Sequence, residues 1–107
     1  MMINGNYSHA VLKNAKKGDF RVQDDFGGTV SCYQAKKNQI EFAEKVIRAL
    51  PFTPIYARVD IILDNNNDVS LSELELIEPE MWFRFNPPAA RDLAITIRDF
   101  VGSTNML

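Results

Sequence analysis

The sequence predicts an α+β fold: a mainly antiparallel β-sheet with two amphipathic helices packed on one face. Three observations carry this expectation. Two stretches place apolar residues at helical spacing, and two hairpin signals join β-rich runs. Helices and hairpins are also segregated along the chain rather than strictly alternating, which argues against a parallel sheet.

Taken in order, Asn4-Gly5-Asn6 is a tight-turn signal between apolar residues and the alternating stretch Tyr7 to Leu12, and it predicts a hairpin. Lys13 to Gly28 is polar and reads as a loop, and Thr29 to Tyr33 as a short strand. From Lys36 to Leu50, residues Ile40, Ala43, Val46, Ile47 and Leu50 share one helical face, and Pro51 stops the pattern. A second helix starts at Pro87-Pro88, buries Ala90, Leu93, Ala94, Ile97, Phe100 and Val101, and stops at Gly102. Between the helices, Ile55 to Leu63 and Val69 to Ile77 flank Asp64-Asn65-Asn66-Asn67-Asp68 and predict a second hairpin.

With 107 residues, 46% of them hydrophobic, the chain can fill the core of one domain without metal or disulfide staples. Its one cysteine, Cys32, rules out an internal disulfide and an all-cysteine zinc site, and fits a reducing, cytoplasmic setting. No apolar run approaches the roughly 18 residues of a membrane span, and Met1 to Asn6 lacks the basic flank and apolar core of a signal segment. Neither a membrane nor a targeting role is expected.

Twelve Lys and Arg against fourteen Asp and Glu give a net charge of −2, distributed unevenly. Lys13 to Arg48 holds eight basic and five acidic residues, whereas Asp60 to Glu80 holds seven acidic residues and no basic one. Nucleic acid is a disfavoured partner, because phosphate contacts need a clustered excess of Lys and Arg. The acidic block, instead, defines a candidate site.

Alternation turns Ile55, Ala57, Val59, Ile61 and Leu63 toward the core and Tyr56, Arg58, Asp60 and Ile62 away from it. In the partner strand Leu74 and Leu76 face the core, so Glu73 and Glu75 turn outward. A four-residue loop, Asn65 to Asp68, opposes Asp60 to Glu73, Arg58 to Glu75, Val59 to Leu74 and Ala57 to Leu76. Like charges directly across a ladder destabilise it by up to about 1 kcal/mol unless a cation lies between them. Three carboxylates on one hairpin supply hard oxygen ligands for Mg²⁺, whose remaining positions phosphate oxygens and water would fill. The plain alternative is a solvated polar face with one ion pair, Arg58 with Glu75.

Several ordered segments carry a family resemblance: Tyr7-Ser8-His9-Ala10-Val11-Leu12-Lys13, Gly18-Asp19-Phe20-Arg21-Val22-Gln23, Gly27-Gly28, Arg58-Val59-Asp60 and Glu73-Leu74-Glu75-Leu76-Ile77-Glu78-Pro79. From about Ile3 to Phe100 the chain resembles the C-terminal subdomain of ATP-grasp ligases, nearest the glutathione synthetase-like carboxylate-amine ligases. The resemblance implies the C-terminal half of an ATP-grasp fold, with ATP and Mg²⁺ as cofactors. By position, Asp60, Glu73 and Glu75 would hold Mg²⁺ on ATP. Arg21 would face the transferred phosphoryl group or acyl phosphate, with Arg58 a second candidate for that role. Glu75 stands where such enzymes usually carry Asn, keeping a hard oxygen donor and adding a charge.

The implied reaction begins with a substrate carboxylate attacking the γ-phosphorus of ATP. An amine then displaces phosphate from the acyl phosphate to form an amide-like bond. Such enzymes hold the nucleotide between two subdomains, and the resemblance implies that the N-terminal and central ones, with their lysines and Gly-rich lid, are absent here. The expectation is a subdomain inactive alone, which a separate chain would complete in a split ligase. A second expectation, of another class, is a non-catalytic self-associating remnant or regulatory module.

Ser8 and His9 are substrate-binding candidates, although a lone His beside Ser in a strand or turn also reads as structural. Lys13, Lys16 and Lys17 either reach phosphates or belong to a solvated loop. Cys32 lacks the activating neighbour that a nucleophile needs. Asp64 to Asp68 lacks the spaced Gly and terminal Glu of an EF-hand and reads as a turn. Met81-Trp82-Phe83-Arg84-Phe85 is part core and part candidate surface for a homo-oligomer.

Overall fold

The computed structural model describes residues 1–14 and 28–105. Asn4 and Gly5 take positive φ values of 53° and 80°, the conformation that a two-residue hairpin turn requires. They join β1 (Met2–Ile3) to β2 (Asn6–Tyr7). A Cβ at Gly5 would meet the Thr53 methyl at 3.1 Å, so both backbone and packing select glycine there.

β3 (Ala10–Asn14) and β4 (Thr29–Tyr33) form a separate antiparallel ribbon. Lys13 and Asn14, read as loop from their polarity, extend this ladder opposite Val30 and Thr29. The remainder of the expected loop, residues 15–27 with Lys16, Lys17 and Arg21, lies outside the described residues. α1 (Lys37–Arg48) follows, one to two residues shorter at each end than the apolar pattern. Its first turn is held by Gln39, whose Oε1 accepts from the Lys36 backbone N–H at 2.8 Å and from the Tyr33 hydroxyl at 3.0 Å.

β5 (Tyr56–Leu63) and β6 (Val69–Glu75) form the second hairpin. Its loop has five residues, not four, because Leu63 opposes Val69. Asp64 organises it: Oδ1 accepts from the backbone of Asn66 and Asp68 at 2.8 and 3.0 Å, and Asn67 takes φ 62°. A bulge then skips one residue, Ser72, between the pairs Ile61–Leu71 and Asp60–Glu73. The bulge cancels the longer loop, so the expected pairs Asp60–Glu73, Val59–Leu74 and Arg58–Glu75 all form.

The main sheet has the order β2-β1-β5-β6 and is antiparallel throughout. It carries a core on each face. Met2 and Ala57, directly opposed, join Ile47 of α1, with Ala43, Val59, Leu74 and Leu76 around them. On the other face Ile3, with Met1, Met81, Trp82 and Ala89, packs against Tyr56, Leu93 and the ribbon residues Val11 and Val30. The last helix, α2 (Pro88–Asn105), therefore lies opposite α1. This corrects the expectation of two helices on one face. Adjacent residues of β1 point to opposite sides, and both are apolar, so each side needs its own cover.

α2 departs from its expected burial as well. Ala89 is buried and Leu93 half-buried, whereas Ala90, Ala94, Ile97, Phe100 and Val101 are exposed. The helix also continues through Gly102 to Asn105. Leu63, expected in the core, is 59% exposed, because β5 extends beyond the cover of α1.

Candidate functional site

The register brings Arg58, Asp60, Glu73 and Glu75 together on the face of β5–β6 opposite α1. Arg58 is the centre. Its Nε lies 2.9 Å from Asp60 Oδ1 and its second guanidinium nitrogen 3.1 Å from Asp60 Oδ2, a bidentate pair. The same nitrogen reaches Glu75 at 3.1 Å and Glu73 at 3.8 Å. The guanidinium carbon also sits 5.0 Å from the centre of the Trp82 ring. The expected Arg58–Glu75 ion pair is thus present within a larger network.

Lys13 completes that network from the ribbon, with Nζ 2.6 Å from Asp60 Oδ2. Sequence reasoning missed this contact. Its only trace was the even spacing between Val11 and Lys13, which puts both on the side of the ribbon that faces the sheet. Asp60 and Arg58 are nearly enclosed, with side chains 9% and 11% exposed, while Glu73 is 52% exposed.

The two acid environments differ. Burial pushes the Asp60 carboxyl up, but hydrogen bonds from Arg58 and Lys13, together with their charges, outweigh it and hold the pKa below the ordinary value. Glu75 goes the other way: a hydrogen bond with Glu73 and then burial raise it, against the attraction of Arg58. One guanidinium serves three carboxylates, and the glutamate pair receives too little positive charge. Among the described residues, no set of three or more His, Cys, Asp or Glu side chains stands ready to hold a metal ion.

Ser8 and His9 lie at the other end of the core. His9 is buried; its Nε2 donates to the Met81 carbonyl at 2.7 Å, which leaves Nδ1 to accept from the Ser8 hydroxyl at 2.8 Å. These bonds fix the neutral tautomer and tie β2 and β3 to the segment entering Trp82. The structure therefore does not bring His9 to the carboxylates, and its geometry is that of a core strut. Met81 and Trp82 are likewise buried and form the core part of this segment, while Phe83 and Phe85, in a 3₁₀ turn, are half-buried and Arg84 is exposed. Trp82 adopts a left-handed φ of 46°, unusual for a bulky residue, with its N–H held by Glu80 Oε1 at 2.9 Å. Cys32 is exposed. Arg21 lies outside the described residues.

No family model, curated protein or solved structure matches the chain. No helix among the described residues is long and apolar enough to cross a membrane.

The charge network and the buried imidazole both lead to measurable expectations. Asp60→Asn should cost about 3 kcal/mol in urea unfolding, since it leaves Arg58 and Lys13 without a buried counter-charge. Glu75→Gln should change stability by less than about 0.5 kcal/mol. Asp60, with its lowered pKa, stabilises above its ordinary value near 3.9, and that contribution disappears as pH falls through its folded pKa. Burial lowers the His9 pKa, partly offset by its bond to Met81, so the unfolded chain takes up this proton first as pH falls. Stability should then decline below about pH 8 through the buried Met1 amine, whose pKa burial lowers to about 6, and further below about pH 6.5 through His9, and His9→Gln should remove the second contribution.

Proposed function

We propose that this chain supplies the Mg²⁺–nucleotide face of an ATP-grasp-type carboxylate-amine ligase, in the role of its C-terminal subdomain. One observation carries the reading: Asp60, Glu73 and Glu75 share one face of a rigid hairpin with Arg58 among them. In donor chemistry the set suits the ion, although among the described residues the three carboxylates are not gathered as a ready metal site. All three are hard oxygen donors, too few for an octahedral shell without phosphate and water, and the raised Glu75 pKa marks a carboxylate pair short of positive charge. When bound, Mg²⁺ would screen the phosphate oxygens and orient the γ-phosphoryl group.

The chain's own residues divide the work. Asp60, Glu73 and Glu75 would hold the ion. Arg58, steadied by the Trp82 ring, offers a fixed positive charge to phosphoryl oxygens, preorganised before substrate arrives. By resemblance Arg21, which lies outside the described residues, would be the first candidate for that charge, with Arg58 the second. Nothing in this set is a covalent nucleophile, which agrees with a reaction driven by positioning and charge. The carboxylate and amine substrates would be shared with other subdomains, so activity of the chain alone is not expected.

Calorimetric titration with Mg-ATP tests the assignment. Weak binding should fall by about tenfold, equivalent to about 1.4 kcal/mol, in Glu73→Ala; binding unaffected by that change removes the metal assignment.

A second reading, a self-associating module, is favoured by α2. Ala90, Ala94, Ile97 and Val101 repeat at spacings of four, three and four along its exposed side, the seam of a helix pair. Light scattering should show mass rising with concentration, and Ile97→Glu should abolish the rise. A monomer at all concentrations removes this reading.

A further inference from the structure

Among the described residues, most of β5 has a neighbouring strand on only one side. β6 pairs with Arg58 through Leu63, but β1 covers only Tyr56 and Ala57, where the β1–β5 ladder ends at Met2. The Ile55 carbonyl accepts from the Asn4 N–H at 2.9 Å, so Ile55 directs its backbone groups to the β1 side. Alternation then sends the N–H and C=O groups of Val59, Ile61 and Leu63 to that same side. Among the described residues no strand pairs with them there.

Among the described residues this edge is little blunted. It contains no proline, the bulge lies on β6 instead, Val59, Ile61, Ile62 and Leu63 are apolar, and the one charge among them, Asp60, is paired with Arg58 and Lys13. Exposed, flat, apolar edges invite pairing and are ordinarily covered. It is also recessed. A cavity of about 510 Å³ adjoins it, lined by Val59 and Ile61 of β5, Val11 and Tyr33 of the ribbon and Ile40 and Ala43 of α1. The paired Lys13 and Asp60 also line it.

The geometry points to this groove as a strand-acceptor site for an extended peptide. The segment adds antiparallel to β5, prolonging the β1–β5 ladder over about six residues, or about 20 Å. Its alternate side chains are apolar and enter the trough between β5 and α1; those between are polar and face Lys13 and Asp60. A strand is favoured over a second copy of the chain, because the ribbon and α1 wall the edge and admit one extended backbone more readily than another folded sheet. The proposal differs from the nucleotide reading in its main contacts, which are the backbone groups of β5, although Asp60 belongs to both sites.

Hydrogen exchange on the full chain tests it, with a blocked hexapeptide of alternating valine and threonine as probe. At about tenfold excess over its dissociation constant, the peptide should slow the Val59, Ile61 and Leu63 amides by about tenfold. Side-chain burial sets the register, so the valine amides face β5. N-methylation of the valines should abolish protection, whereas N-methylation of the threonines should preserve it. No protection at millimolar peptide, or equal protection by the two methylated peptides, overturns the proposal. Concentration-dependent protection of these amides without peptide would mean that a second copy occupies the edge, and overturns it too. Retained Mg-ATP binding alongside absent peptide protection would separate failure of this proposal from failure of the nucleotide assignment.

Discussion

The Arg58 guanidinium is the constraint on which the polar half of the molecule depends. It lies on the face of the hairpin where three carboxylates gather, and it is stacked on Trp82. Without it, Asp60 would keep only Lys13 as a counter-charge and Glu73 would face it with no cation of its own. Its contacts join β5 to β6 and to the Met81–Trp82 segment, and Lys13 extends the connection to the ribbon. Partners this enclosed are costly to lose, about 3–5 kcal/mol, although an intact buried pair adds little beyond what apolar side chains would. The network therefore acts more on register and position than on gross stability.

Apolar burial supplies that stability through two cores separated by the sheet. β1 is only two residues long, yet Met2 belongs to one core and Ile3 to the other. Complete burial of such side chains contributes roughly 1.5–3 kcal/mol each. The Asn4-Gly5 turn places β1 between β2 and β5, and the His9 bond to Met81 then closes the second core across the chain. Trp82 serves both systems: one side of its environment is this core, and the other is the Arg58 charge.

The carboxylate face was legible in the residues because a hairpin is local and side chains alternate with a period of two. Arg58, Asp60, Glu73 and Glu75 were placed correctly even though the loop length was wrong by one. The reason is physical: the hydrophobic pattern of Val59 and Leu74 sets the register at the site, and the skipped residue at Ser72 absorbs the mismatch. Lys13 was not legible as a partner of Asp60, since the two are 47 residues apart and polarity alone assigned Lys13 to a loop. His9 was ambiguous for a related reason. Only the Met81 carbonyl, 72 residues away, distinguishes a strut from a ligand.

The amino-acid sequence by itself determined the turn at Asn4-Gly5, the two helices, the acidic hairpin and which of its side chains share a face. All of these follow from interactions within a few residues or from fixed periodicities. Tertiary structure decided which side of the sheet each helix covers, how Lys13 and Arg58 divide Asp60, and which apolar surfaces stay exposed. α2 shows why: its apolar residues at helical spacing span more than one side, and the finite width of the sheet decides that Ala89 and Leu93 are covered while Ile97 and Val101 are not. The same limit leaves β5 longer than the β1 strand beside it, a difference in length that becomes a groove only when the ribbon and α1 close around it.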